Sequence, residues 1–346
     1  MKKRVLLGLI STWLVASLLV GCGAGKEVNG EKKEEVSQEA GKEESVKKLN
    51  VAYMANYGSL WSILNAIDLG YFEEKNMEIN LIEFKDGPTI IAAMESGGID
   101  IGYIGQGAHK LCINGKAKVF ALSHISNADM LIGGPNVEAV EDLMGKKVAY
   151  VEGTSSEDIL VKALARANMT MNDIIAVNML QEDIKDAIRV GGVEAVAIWS
   201  PYSLKILEEV EGTKKLADNL TFADEGVSLS SWIVSPQYAE ENMDTILRFT
   251  DALYRAMDYA ATKNQEHTAE LIAEQIGEEA EAVYEQRGDA QWLTGKEVAT
   301  GAKSGMVRTY YELQKQIFIE TGAVDVNPDV DEYVMFDVMI KAGQYE

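Results

Sequence analysis

The sequence is short of histidine, cysteine, basic residues and long apolar runs, and each shortage closes off a class of function. Its three histidines, His109, His124 and His267, include no pair at the i, i+4 spacing that aims two rings at one metal. Two cysteines, Cys22 and Cys112, are too few and too far apart for a paired-thiol metal motif. No P-loop and no nucleophile elbow is present. No metal and no cofactor is therefore expected. Lys and Arg number 32 against 55 Asp and Glu, a formal net charge of −23. A chain this acidic is a poor partner for nucleic acid or an anionic bilayer surface. The Glu- and Lys-rich helical stretches read as solvated faces.

The only long apolar run is Val5 to Val20, 16 residues, short of the roughly 20 a spanning helix needs. Met1-Lys2-Lys3-Arg4 precedes it and Leu19-Val20-Gly21-Cys22 ends it, so residues 1–21 read as a secretory signal peptide. The Leu-x-Gly-Cys ending resembles a bacterial lipobox. That resemblance implies that Cys22 becomes the first mature residue and carries a lipid on the outer face of the membrane. The protein would then touch the membrane through that anchor only. The segment removed holds three basic residues and no acid, so the charge falls from −23 to −26. The 325 residues left suffice for one large or two moderate cores without disulfides. Cys112, in Leu111-Cys112-Ile113, reads as a buried thiol. Residues 22–48, rich in Gly, Glu, Lys and Ser, read as a disordered tether reaching on the order of 25–30 Å.

From Leu49 strands and helices alternate. Strands are expected at 49–54, 79–84, 99–104 and 119–122. Helices are expected through Leu60, Ile63, Leu64 and Ile67, and through Ile90, Ile91 and Met94. A second run of the same kind begins near Lys147, with strands at 148–151, 174–177 and 195–199. This alternation implies parallel pairing with helices on both sheet faces. Beyond Val234 the chain turns helical, with Ile246, Thr250, Leu253, Met257 and Ala260 on one face. Breaks at Gly133-Gly134-Pro135-Asn136 and at 223–226 suggest one lobe from 49–135 and 230–346 and a second from 136–229. Two crossings between such lobes make a hinged cleft, where ligands bind.

Five stretches in order resemble the SsuA/TauA/THI5-like (NMT1-like) group of solute-binding proteins. They are Asp68 to Met77, Gly87-Pro88-Thr89 on to Ile99-Asp100-Ile101-Gly102, Asp142 to Ala149, Glu152 to Ser156, and Val193-Glu194-Ala195 through Trp199-Ser200-Pro201-Tyr202. The resemblance implies an α/β, type II periplasmic-binding-protein fold whose tail returns to the first lobe. It also implies a non-enzymatic, monomeric carrier that delivers a small molecule of the nitrate, sulfonate or thiamine-precursor group to an ABC permease and its ATPase. A ligand-sensing partner of a membrane receptor is the alternative. Fungal pyrimidine synthases share the fold, but their scheme uses a Cys-rich motif and Cys112 stands alone.

In an open α/β sheet, ligands bind where strands end and helices begin. Four such places, residues 56–59, 86–89, 105–107 and 153–156, give the binding candidates Asn56, Tyr57, Gly58, Ser59, Gly87, Pro88, Gln106, Gly107, Thr154 and Ser155. Helix N-termini there could hold an anion without a basic side chain. Thr154 to Glu157 equally fits a capping box. Trp199 and Tyr202 are the aromatic candidates, with the family's aromatic at this place lying in the cleft; a core Trp is the other reading. Taurine binders of the group tend to carry Asp where Ser200 stands, so taurine ranks below ligands with uncharged tails.

Overall fold

A computed structural model describes residues 45–344; the signal segment, Cys22 and nearly all of the tether lie outside the described residues. β1 (Lys47–Met54), α1 (Tyr57–Asp68), β2 (Met77–Phe84), α2 (Gly87–Glu95), β3 (Ile101–Ile104), α3 (His109–Ile113) and β4 (Lys118–Ser126) build the first half. Local chemistry sets where the helices start. Asn56 and Asp86 sit in extended backbone, and each side chain accepts an amide of the first turn, from Ser59 and from Thr89. These caps satisfy donors the helix itself cannot.

The second half holds β5 (Asp129–Gly133), β6 (Lys147–Tyr150), α4 (Ser155–Arg166), β7 (Ile175–Asn178), α5 (Gln181–Arg189), β8 (Ala195–Trp199), α6 (Tyr202–Glu209) and β9 (Lys214–Asp218). The remainder is β10 (Ser228–Val234), α7 (Pro236–Glu241), α8 (Met243–Ala260), α9 (Gln265–Ile276), α10 (Ala280–Glu285), β11 (Ala290–Trp292), α11 (Gly295–Ser304), α12 (Met306–Glu320) and α13 (Phe336–Ala342).

Two sheets result, ordered β11-β4-β10-β3-β1-β2 and β7-β6-β8-β5-β9. Parallel pairing holds for β1 with β2 and β3, and for β6 with β7 and β8. It does not hold throughout. β10 runs antiparallel to both β3 and β4, β11 antiparallel to β4, and β5 antiparallel to β8 and β9. The reason is connectivity: each of these strands enters its sheet from the other sheet or from the tail, not from a right-handed crossover.

That also moves the first boundary. β5 belongs to the second sheet, so the chain crosses at residues 127–128, ahead of the Gly-Gly-Pro break. Gly133 to Pro135 instead closes β5, with the Gly134 amide on the Glu194 carbonyl at 2.8 Å. The return crossing lies between β9 and β10. The two crossings are tied together: Asn219 accepts the Asp129 amide at 2.8 Å and donates to Asp129 Oδ2 at 3.1 Å.

The tail packs on the first sheet. The Ile246, Thr250, Leu253, Met257 and Ala260 face of α8 is wholly buried, and α8 lies against α1. Gln106 fixes the return at two points, its Oε1 accepting from the Leu229 amide and from Gln314 Nε2, each at 2.7 Å. The first lobe and tail share one core, including Trp61, Trp232, Phe249 and Cys112; the second lobe buries a smaller cluster on each sheet face. Each fully buried large apolar side chain stabilises by about 1.5–3 kcal/mol. Cys112 is fully buried, and burial pushes its thiol pKa up.

Candidate functional site

Strand ends and helix starts from both sheets converge on one cavity. From the first lobe come Asn56 and Gly58 at the start of α1, Gly87 and Pro88 at the start of α2, and Gln106 after β3. From the second come Thr154 and Ser155 at the start of α4, and Trp199 at the end of β8. The convergence follows from sheet geometry, since the carboxyl ends of the strands in each sheet open on the same crevice.

The other candidates face elsewhere. The Tyr57 side chain is buried, its ring 5.0 Å from that of Trp292, while its amide bonds Gln286. Ser59 is buried and accepts the Met54 amide at 3.0 Å, bracing the end of β1. Tyr202 stands edge-on to Trp199, with ring centroids 6.3 Å apart, outside the cavity lining. Gly107 is where the lobes touch. A Cβ built there would lie 2.1 Å from the Thr154 carbonyl carbon, so no other residue fits this contact. Close to it, Lys110 of α3 reaches Glu157 of α4 at 2.6 Å, a half-buried ion pair between lobes.

The capping box at α4 is shifted by one residue. Thr154 accepts the Ser156 amide at 3.2 Å and donates to the Val151 carbonyl at 2.7 Å. Glu157 bonds the Gly153 amide, at 3.1 Å, rather than that of Thr154. The helix starts that face the cavity are therefore already capped by side chains, that of α2 by an aspartate.

A match to the NMT1/THI5-like family model runs over residues 59–267, more than half of the chain. The chain belongs to that family. A Brucella abortus protein named as a binding protein is 27% identical over 289 residues, covering 84% of this chain and 90% of the relative. An Escherichia coli protein named as an aliphatic sulfonates-binding protein is 28% identical over 248 residues, covering 68% and 73%. The alkanesulfonate-binding protein SsuA from Xanthomonas axonopodis pv. citri, bound to MOPS, superposes with TM-score 0.66 at 18% identity, covering 84% and 99%. A desulfurization enzyme, DszB, also shares the fold, with TM-score 0.60 at 13% identity over 86% and 98%. The fold is that of periplasmic binding proteins, and it is not confined to carriers.

In this family member the cavity holds residues that strand and helix patterning did not single out. Tyr103 of β3 and His124 of β4 line it, rings stacked at 6.1 Å, with Tyr103 Oη 3.4 Å from His124 Nε2. Burial lowers the His124 pKa to about 3 and raises that of Tyr103, so both are neutral at physiological pH. His109 is likewise neutral, its pKa lowered to about 4, and bonds Ser231 at 2.8 Å. Asp129 comes from the start of β5, next to the first crossing, and Gln286, Asp289 and Trp292 come from the tail around β11. Trp292 packs 4.8 Å from the His124 ring.

Both acids are perturbed. Burial raises the pKa of Asp129, with Ser155 and Asn219 offsetting part of the effect. Burial raises Asp289 to about 7; the Ser200 hydroxyl opposes that shift and the Asp129 charge adds to it. Asp86 is the third lining acid, and no Lys or Arg lines the cavity among the described residues. Lys162, which acts on Asp129, is held by Asp158 at 2.8 Å.

Proposed function

We propose that this protein is the extracytoplasmic, lipid-anchored solute-binding component of an ABC importer, and that its two lobes close on one small molecule. The carrying observation is the shared cavity lined by Gly87, Gln106, Thr154 and Trp199, which come from two separate sheet units. A crevice with apolar aromatics and a few fixed polar groups, split across a two-segment hinge, suits reversible capture. Eight of the sequence candidates line it, and we assign those eight the ligand: Asn56, Gly58, Gly87, Pro88, Gln106, Thr154, Ser155 and Trp199. The lobes of this carrier are the two sheet units joined at 127–128 and between β9 and β10. Membership in the family and relatives named as binding proteins support the role. The anchor rests on Cys22 and its preceding Leu-Val-Gly. With the anchor on the outer leaflet and an acidic body, the partner in reach is a permease, with its ATPase on the far side.

The test is a thermal-shift screen of the purified mature protein against sulfonates, nitrate, amines, amidines and thiamine-precursor pyrimidines. A specific solute at 100 times its dissociation constant adds about 2.7 kcal/mol to stability. If nothing in so broad a panel raises the melting temperature, the carrier reading falls.

A further inference from the structure

Resting on the carrier reading, we propose that the solute is an organic cation: its protonated nitrogen sits between Asp129 and Asp289, and its apolar body lies against Trp199 and Trp292. Four observations on this cavity lead there. Its formal charges are all acidic, and no basic side chain among the described residues lines it. The imidazole that lines it, His124, is buried and neutral, so it supplies no positive charge. One first-turn amide at each helix start facing it is taken by a side chain, at α2 by the Asp86 carboxylate, whose charge opposes an anion at that helix end. Two tryptophans from different lobes line the same space, and an aromatic face attracts a cation as well as apolar surface.

The placement of the two carboxyl groups adds a mechanical argument. Asn127, in the first crossing, donates its amide to the Asp289 carbonyl at 2.6 Å, and Asp129 follows two residues later. Asp129 in turn binds Asn219 of the returning segment, with the Ser228 hydroxyl 3.5 Å away on the same carboxylate oxygen. Both acids therefore adjoin the first crossing, Asp129 at the start of β5 and Asp289 on the tail segment whose backbone Asn127 binds. Two like charges held in a buried site oppose each other, and a cation between them removes that opposition. Capture of a positive solute would then pull the crossings and the tail together, which is the motion of closure. An anionic headgroup would meet the opposite balance: Asp129 and Asp289 repel it, and the nearby cation that acts on Asp129, Lys162, lies outside the lining and is paired with Asp158.

The experiment uses the mature protein at pH 8 with benzylammonium, benzamidinium, the neutral isostere benzyl alcohol, ethanesulfonate and nitrate as probes, read by thermal shift and calorimetry. The expected result is that a cation binds more tightly than every neutral or anionic probe. Asp129→Asn and Asp289→Asn each then weaken that cation by at least 10-fold and leave benzyl alcohol unchanged. Asn keeps the acceptor that Asn219 uses, so the hinge bonds survive, and the unliganded melting temperature checks the fold. If ethanesulfonate or nitrate binds more tightly than both cations, the cation inference fails while the carrier reading stands. If neither these probes nor the wider panel above binds, both fail. If cations bind and both Asn variants bind them as the parent does, the assigned carboxylates are wrong.

Discussion

Adding one methyl group at Gly107 is expected to hold the lobes apart. Its Cβ would fall 2.1 Å from the Thr154 carbonyl carbon, 2.2 Å from the oxygen and 2.7 Å from the Ser155 amide nitrogen. Ordinary carbon contacts lie at about 3.5–4.0 Å, so the two backbones must separate by more than about 1 Å. Neither side yields by itself. Gly107 lies in a turn pinned through Gln106 to β10 and α12, and Thr154 is bonded to Val151 and Ser156. Relief comes from rotation about the 127–128 and β9–β10 crossings. Overpacking of this kind costs about 1–3 kcal/mol, which falls on the closed form. Converted at about 1.4 kcal/mol per tenfold, Gly107→Ala weakens the tightest ligand of the screen by about 5- to 150-fold. Gly105→Ala is the control: it also lines the cavity, yet nothing lies within 4 Å of its added Cβ. Small-angle scattering with saturating ligand should show a larger radius for Gly107→Ala than for Gly105→Ala. Calorimetry gives the affinities. Equal affinities and equal radii for the two variants would refute the contact as a determinant of closure.

Stability should also carry the signature of Asp289. Its pKa is raised from 3.8 to about 7 in the fold, so its contribution is fullest below about pH 4 and is lost as pH rises to 7. Asp289→Asn removes that loss. In urea unfolding of the unliganded protein, the advantage of the variant over the parent should grow by roughly 2–3 kcal/mol between pH 5 and pH 8; a pH-independent difference would sink the assignment. Trp199 is 8% exposed and belongs to a second-lobe core while lining the cavity, so Trp199→Ala is expected to lose both stability, by about 3 kcal/mol, and ligand affinity. Urea midpoints and calorimetry measure these separately; unchanged affinity in a folded variant would remove Trp199 from the site.

Much of this molecule was legible in its residues. Periods of about two and 3.6 placed β1 to β3, α1 and the buried face of α8, because those elements satisfy their hydrogen bonds and bury their apolar side locally. Eight of the candidates at strand ends and helix starts do line the cavity. Local pattern misjudged Gly133 to Pro135, since a turn signal has the same form whether it closes one strand or joins two lobes. It also misjudged Tyr57 and Ser59, which share the first turn of α1 with Gly58 yet turn into the core.

What only the tertiary structure decided is the sign of the site. The sequence determined two α/β units, an acidic surface and a family; each follows from composition and from contacts between near neighbours. Asp129 reaches the cavity from the start of β5, just past the first crossing, and Asp289 and Trp292 reach it from just before and from within β11, a tail strand of three residues. Their meeting depends on antiparallel pairings between β4, β10 and β11, across gaps of more than 100 residues. No period along the chain encodes such a pairing, because it is selected by the burial of whole faces once both lobes exist.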